Sequence, residues 1–328
     1  MDNLNDCADL IKKAKNPVAN RLARVYLIFG ADHMENLDEL KQLTKVELKN
    51  LNKVFYPEAN VTKGKIVEYY IRMAPKILPV IANRPLVLTR YPNGIADQLG
   101  KSIFYEKNAP EGTPNWIPLF PIYSPTSKRD VRYIVCNDLD TLIWLANMAA
   151  LEIHMPFSTT ADIDKPDLLF FDLDPEPPAT LSDAVEVALQ LKDKLNGMGL
   201  SAFVKTSGKK GLHVVIPIEP RYTFEQARAF VHQVGVELAK ANSMVVSEFK
   251  DTKKPGKVFA DYLQNSPMRT MVIPYSLRPT PNAAASTPLE WSEVKKGLNP
   301  ANYTIFSVPK RKENPWRDIF QKRHQLEI

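Results

Sequence analysis

Leu168 to Pro175 reads LLFFDLDP: four apolar residues, two aspartates one residue apart, and a proline. A short continuous apolar run suits a strand buried on both faces. Pro175 has no N–H to give to a ladder and suits the strand's end. Residues i and i+2 of a strand share a face and lie roughly 6.5 Å apart. Asp172 and Asp174 therefore project together, while Leu173 points back into the core. Parallel carboxylates repel unless a positive charge lies between them. A hard divalent cation with oxygen ligands, Mg²⁺ or Mn²⁺, is the usual resolution. Taken alone, however, D-x-D suits a strand-to-loop junction with two solvated aspartates better.

Two further stretches bear on the choice. In KTSGKKGLHVVIPI (205–218), Leu212, Val214, Ile216 and Ile218 alternate with His213, Val215 and Pro217, a strand with His213 on the opposite face. The link before it holds Ser207, Gly208, Lys209, Lys210 and Gly211. Glycines let backbone N–H groups approach an anion, and the serine hydroxyl and lysines add a donor and charge. The link suits a triphosphate cradle, although G-x-x-x-x-G-K-[ST] spacing is absent; a solvated hairpin turn beside a core histidine fits it equally. In KVFADYLQN (257–265), Asp261 is an acid on an otherwise apolar strand face. A lone strand aspartate is more often an edge or hydrogen-bonded residue, but beside Asp172 and Asp174 it completes a three-carboxylate site.

The rest of the chain sets bounds. Its 328 residues suffice for one large domain or two modest ones. Apolar content is 44%, no run approaches a membrane span, and the N-terminus has no uninterrupted apolar core. Cys7 and Cys136 form no C-x-x-C pair, so neither a cysteine zinc site nor a disulfide framework is indicated. A cytoplasmic protein without a membrane partner is the expectation. The formal net charge of +6 permits a polyanionic partner without demanding one. Twenty-seven prolines against 12 glycines point to stiff connections.

Along the chain, residues 1–44 form an N-terminal extension in which RVYLIF (24–29) is a strand or a helical turn. VELKNLNKVFYPE (46–58) reads as strand and turn. A helix starts at Thr62 as cap, with Ile66, Tyr69, Tyr70, Met73 and Ile77 at helical spacing and Pro75 as a kink. PLVLTRYP (85–92) is a strand, and the proline-rich residues 106–127 are mostly loop. DLDTLIWLANMAALEIH (138–154) is a helix capped by Asp138 or Asp140. Residues 181–199 form a helix ending at Gly197 or Gly199, and residues 223–242 another. SAFVKTS, GLHVVIPI, MVVSEF and KVFADYL are strands. Irregular alternation of the two kinds of element makes the class α+β with mixed or antiparallel sheets.

FFDLDP, TSGKKGLHVVIP and GKVFADYLQN, in that order, resemble the polymerase domain of bacterial DNA ligase D, a member of the archaeo-eukaryotic primase superfamily. NLNKVFYPEANVTKGKIVEYY, NRPLVLTRYPNGI, SIFYEKNAP, STPLEW and NPWRD add to the resemblance. It spans about residues 45–320, leaving residues 321–328 as a basic tail. Lys254 departs from the pattern, standing where an arginine is usual, which would weaken a bidentate phosphate contact.

The resemblance implies a primase-polymerase fold and a template-directed nucleotidyl transferase that fills gaps and extends 3′ ends in non-homologous end joining. Two Mn²⁺ or Mg²⁺ ions and NTP or dNTP substrates, with ribonucleotides preferred, come with it. It places Asp172, Asp174 and Asp261 on metal, and Ser207, Lys210 and His213 in the nucleotide cradle. Gln264 and Arg278 would contact the nucleotide or its phosphates, and His154 its sugar. Lys53 and Lys63 would hold a 5′-phosphate across the gap, where the helix N-terminus at Thr62 also favours an anion. Phe104 and Tyr105 would stack on the template. Broken or gapped DNA with 3′ overhangs, Ku and a separate ATP-dependent ligase are the expected partners, at the nucleoid. A primase-polymerase for replication or damage bypass shares this core, and a non-catalytic nucleic-acid-binding protein would explain the charge but not three acids on strands.

Overall fold

The computed structural model describes residues 44–96, 102–248, 251 and 254–327. The RVYLIF segment and the extension, apart from Thr44, lie outside the described residues.

In chain order the elements are β1 (Val54–Tyr56), β2 (Val61–Thr62), α1 (Lys63–Ile81), β3 (Pro85–Arg90), β4 (Phe104–Glu106), β5 (Leu119–Ser124) and β6 (Arg129–Val135). Then come α2 (Leu139–Asn147), β7 (Ala150–Pro156), β8 (Leu168–Pro175), α3 (Leu181–Gly197), β9 (Phe203–Thr206) and β10 (Leu212–Pro217). The last are α4 (Phe224–Ala241), β11 (Val245–Val246), β12 (Val258–Asp261), β13 (Thr270–Val272) and β14 (Pro288–Leu289).

Two six-stranded sheets organise the molecule. The first runs β11–β12–β8–β10–β9–β14 and is antiparallel except for the β11–β12 pair. The second runs β13–β7–β3–β6–β5, with β4 paired to the far half of β3. β8 lies inside the first sheet, and its alternation feeds two cores. Leu169, Phe171 and Leu173 pack with α3 and α4. Leu168 and Phe170 join the core built from α1, α2 and the second sheet. Burying a side chain such as Phe171 is worth roughly 1.5–3 kcal/mol, so the register of β8 is strongly fixed: a one-residue slip would exchange its faces.

The caps follow the sequence. Thr62 Oγ1 accepts from Lys65 N at 3.3 Å and Asp138 Oδ1 from Thr141 N at 2.8 Å. α3 ends at Gly197, with Gly199 in the left-handed region beyond it. α1 runs on through Pro75, the expected kink position, and Pro79 to Ile81. Other expectations need correction. The helix expected over 138–154 stops at Asn147; Ala149, at φ 64°, turns the chain and residues 150–156 form β7, paired with β3 and β13. Residues 119–124, read as loop, are β5. That strand pairs with β6 at the end of the sheet, where Pro121 can be tolerated.

Residues 321–327 are joined to the domain and are not a separate tail. His324 bridges Ile218, its Nε2 accepts from Ser201 N at 3.0 Å, and Leu326 N donates to the Tyr222 hydroxyl at 2.7 Å. Arg323 also reaches Asp167 at 3.1 Å. The same carboxylate takes two 2.8 Å bonds from buried Arg84, a fork that satisfies charges which would be costly to bury unpaired.

Candidate active site

Strand pairing assembles the acids. Asp261 on β12 lies opposite Asp172 on β8, Asp172 opposite His213 on β10, and His213 opposite Lys205 on β9. One residue from each of four neighbouring strands thus stands in a single cross-strand row. Asp174 follows two positions along β8 on the same face. A cleft of about 230 Å³ opens over this row, lined by His154, Asp172, Asp174, Ser207, Lys210, His213, Gln264 and Arg278, and by Phe170, Lys209 and Thr270–Val272.

The loop before β10 owes its shape to two glycines. Gly208 has φ 76°, and a Cβ there would meet Arg278 Cγ at 2.6 Å. A Cβ on Gly211 would meet Asp174 Oδ1 at 2.4 Å and Leu173 O at 2.7 Å. Ser207 Oγ accepts from Lys209 N and Gly211 N at 3.3 and 3.1 Å, which leaves its own proton to donate. Lys210 is more than half exposed, 3.9 Å from Asp174. Arg278 donates from Nη1 to Ser207 O at 2.8 Å, and its Nε lies 2.9 Å from Glu152 Oε1 without hydrogen-bond alignment. The Tyr91 hydroxyl donates to the other oxygen of Glu152 at 2.9 Å.

Burial, then Asp174 and Asp261, push Asp172 up to about 8, against Lys205 and Arg278. Burial also raises Asp174, opposed by Lys210. His154 falls to about 4 through burial, and burial followed by Lys205 lowers His213 well below its ordinary value, so both rings are neutral. His154 Nε2 is buried without a hydrogen-bond partner. Asp172 Oδ1 has none either, although His213 Nε2 approaches it at 3.4 Å.

These donors fit a hard divalent cation. An unpartnered buried carboxylate oxygen beside a second carboxylate is where such an ion would relieve repulsion. Asp261 is partly committed elsewhere: it accepts from Leu263 N at 2.8 Å and from Gln264 Nε2 at 3.0 Å. Among the described residues no three His, Cys, Asp or Glu side chains form a ready-made cage. Mg²⁺ ordinarily binds through one or two carboxylates, completing its shell with water and substrate phosphate.

The remaining candidates lie outside the cleft lining. Phe104 and Tyr105 are exposed on β4, with Tyr105 edge-on to His154 at 6.5 Å between centroids, so the pair rims the cleft. Lys53 Nζ donates to Pro92 O and Asn93 Oδ1, and Lys63 Nζ to Lys49 O at 2.7 Å. Burial and the nearby Lys53 lower Lys63 to about 8. The expectation of free amides at this helix start is not met. Lys63 N, Gly64 N and Lys65 N already donate to Lys53 O, Leu51 O and Thr62 Oγ1. A phosphate here would meet ammonium groups. Lys254 pairs with Asp251 at 2.8 Å.

Sequence reading missed Lys205 and Glu152. Lys205 is fully buried, and its Nζ lies 2.7 Å from His213 Nδ1 and 2.6 Å from Ser286 Oγ. A lysine in phase with His213 across a short hairpin was the available signal. Glu152 was hidden inside the supposed helix.

Comparison with known proteins fits this layout. Residues 62–320 match the primase-polymerase domain family of LigD. The bifunctional non-homologous end joining protein LigD of Bacillus subtilis is 32% identical over 266 residues, 80% of this chain and 42% of its own length. The multifunctional LigD of Mycolicibacterium smegmatis is 30% identical over 258 residues, 78% of this chain and 33% of its own length. The chain therefore spans between a third and about two fifths of these relatives. The solved polymerase domain of Mycobacterium tuberculosis ligase D in complex with DNA superposes with a TM-score of 0.74 at 30% identity, covering 81% of this chain and 93% of that one.

Proposed function

The chain belongs to the LigD primase-polymerase domain family, and from that premise we propose that it is a template-directed nucleotidyl transferase of DNA end joining. It fills gaps and extends 3′ ends, with ribonucleotides preferred. The observation that carries this reading is the cleft itself, where acids from β8 face a loop of Ser207, Lys209 and Lys210 with Arg278 behind it. In the reaction the primer 3′-hydroxyl forms a bond to the α-phosphorus as the bond to pyrophosphate breaks.

Each residue has a part. Two divalent cations, Mn²⁺ or Mg²⁺, held by Asp172, Asp174 and Asp261, would supply Lewis-acid activation of the attacking and leaving oxygens. Lys210, Arg278 and the Ser207 hydroxyl meet triphosphate oxygens, where charged donors stabilise the developing negative charge. His154 Nε2 gives the sugar a hydrogen-bonding partner and Gln264 contacts the nucleotide. Phe104 and Tyr105 offer a base-independent stacking surface. Lys53 and Lys63 receive a downstream 5′-phosphate, whose contacts fix register without reading sequence. Ku and an ATP-dependent ligase complete the repair at the nucleoid in the cytoplasm.

The test is nucleotide addition to a gapped duplex with a 5′-phosphate or a 5′-hydroxyl downstream, with and without Mn²⁺. Metal-dependent, templated addition favouring the phosphorylated gap is expected. Binding without addition would reduce the chain to a nucleic-acid-binding protein. De novo primer synthesis on single strands, with no phosphate preference, would assign it to priming.

A further inference from the structure

A fully buried lysine is costly unless its donors are met. Lys205, in the middle of β9, is such a residue, and no role in the proposed chemistry has yet been given to it. Its hydrogen-bond partners are Ser286 Oγ at 2.6 Å and His213 Nδ1 at 2.7 Å. We propose that Lys205 is a positioning residue that holds His213 in the tautomer protonated on Nε2, so that His213 serves the cleft as a fixed hydrogen-bond donor and not as a proton acceptor.

Hydrogen-bond bookkeeping around the lysine assigns the protons. The Ser286 hydroxyl donates its one proton to Thr206 O at 2.7 Å. Toward Lys205 it can only accept. Lys205 therefore donates to Ser286, and a further N–H of the same group faces His213 Nδ1. Burial, then Arg278, lower Lys205 well below its ordinary value, but even a neutral amine has two N–H groups, one for Ser286 and one for Nδ1. With an N–H facing it, Nδ1 is the bare nitrogen. The proton of the neutral ring then lies on Nε2.

The far side of the ring favours the same assignment once Asp172 is ionised. Nε2 lies 3.4 Å from Asp172 Oδ1. A neutral Lys205 could accept from Nδ1–H, but Nε2 would then turn a lone pair toward a carboxylate that a cation keeps ionised. With the proton on Nε2 the approach is attractive. The ring cannot easily turn over to exchange its nitrogens, because Phe170 packs edge-on against it at 5.0 Å and 89°.

The consequence is a division of labour. Nε2–H can donate to Asp172 or to a phosphate oxygen of an incoming nucleotide, yet it has no lone pair with which to take the proton of a primer hydroxyl. This deepens the nucleotidyl-transfer reading and rests on it for the identity of the ligand.

The experiment reads the ring directly. Protein labelled with ¹⁵N-histidine is examined by long-range ¹⁵N–¹H correlation in Mg²⁺, and His213→Gln identifies the resonance among the five histidines. Nucleotide KM and kcat are measured alongside. Wild type is expected to show a single Nε2–H tautomer. Lys205→Met, which keeps bulk and removes the donor, is expected to mix the tautomers and raise nucleotide KM about tenfold, with kcat within about threefold. Ser286→Ala, which keeps the lysine but removes its anchor, is expected to shift both in the same direction and less. An Nδ1–H tautomer in wild type overturns the proposal. So do unmixed Nε2–H tautomers in both variants with KM within about twofold of wild type. If Lys205→Met does not fold, the wild-type spectrum and Ser286→Ala decide. Absence of nucleotide addition by wild type would sink the functional reading while leaving the spectrum to judge the tautomer.

Discussion

Asp172→Asn should make the metal-free protein more stable at pH 8 while abolishing nucleotide addition. Asp172 is pushed from 3.8 to about 8 by burial and by Asp174 and Asp261. A tenfold change in proton affinity is worth about 1.4 kcal/mol, so the full interval sets an upper bound on the order of 6 kcal/mol. The side chain keeps 23% of its surface open to the cleft. Solvent screening there brings the expected relief down to about 2–3 kcal/mol. The sign follows from proton counts. Below about pH 4 both folded and unfolded chains hold the proton, and Asp172 costs nothing. As pH rises, the unfolded chain releases its proton first, so stability falls until the folded group also ionises near pH 8. Asn carries no such cost at any pH. Urea unfolding in chelator, at about pH 4.5 and about pH 8, measures the difference. The gain should be small at the lower pH and full at the higher. Adding Mg²⁺ at pH 8 should stabilise wild type more than the variant, which keeps Asp174 and Asp261 but has lost one carboxylate ligand. A variant less stable than wild type at pH 8, or a gain indifferent to pH, would refute the reasoning.

Gly211→Ala places a methyl within 2.4 Å of Asp174 Oδ1 and 2.7 Å of Leu173 O. Leu173 is held in the ladder, so Asp174 or the loop must move. Overpacking of this kind costs about 1–3 kcal/mol, and primer extension should fall far more than stability, as extension rates beside thermal melts would show. Lys63, lowered to about 8 by burial and by Lys53, is uncharged above that pH. Preference for a 5′-phosphorylated gap should therefore weaken between about pH 7.5 and about pH 9. A gel-shift series that is flat across that interval would remove Lys63 from the phosphate site.

What was legible in the sequence is whatever depends on local pattern. LLFFDLDP, with its unbroken apolar run, predicts a strand covered on both faces, and the alternation in GLHVVIPI correctly sets His213 apart from Leu212 and Val214. Helices with good caps, such as those starting near Leu181 and Phe224, were readable for the same reason. The misses come from tertiary override. ALEIH has ordinary helical propensity, yet it is drawn into a strand between β3 and β13, and Glu152 disappeared with the misreading. Pro121 masked β5 because a proline argues against a strand until the strand is known to be an edge. Lys205 was not singled out because nothing local says that Ser286, 81 residues away, will be there to accept from it. The amides of Lys63 and Gly64 were expected to favour an anion because their acceptors, Lys53 O and Leu51 O, come from the turn before β1, beyond the reach of helix rules.

The cross-strand row has a polarity. Neighbouring strands lie about 4.8 Å apart, so Asp261, Asp172, His213 and Lys205 span about 14 Å from a carboxyl end to an amine end. Only the middle of the row, Asp172 and His213, borders the cleft. The cleft wall thus has carboxyl groups, Asp172 and Asp174, on one side and the nitrogen groups of His213 and Lys210 on the other. Anionic groups of a bound molecule facing the carboxyl side would be costly, and facing the nitrogen side would not. That asymmetry is set by the strand order β12–β8–β10–β9, and transposing an acid and a base along it would keep every residue type and reverse the sides.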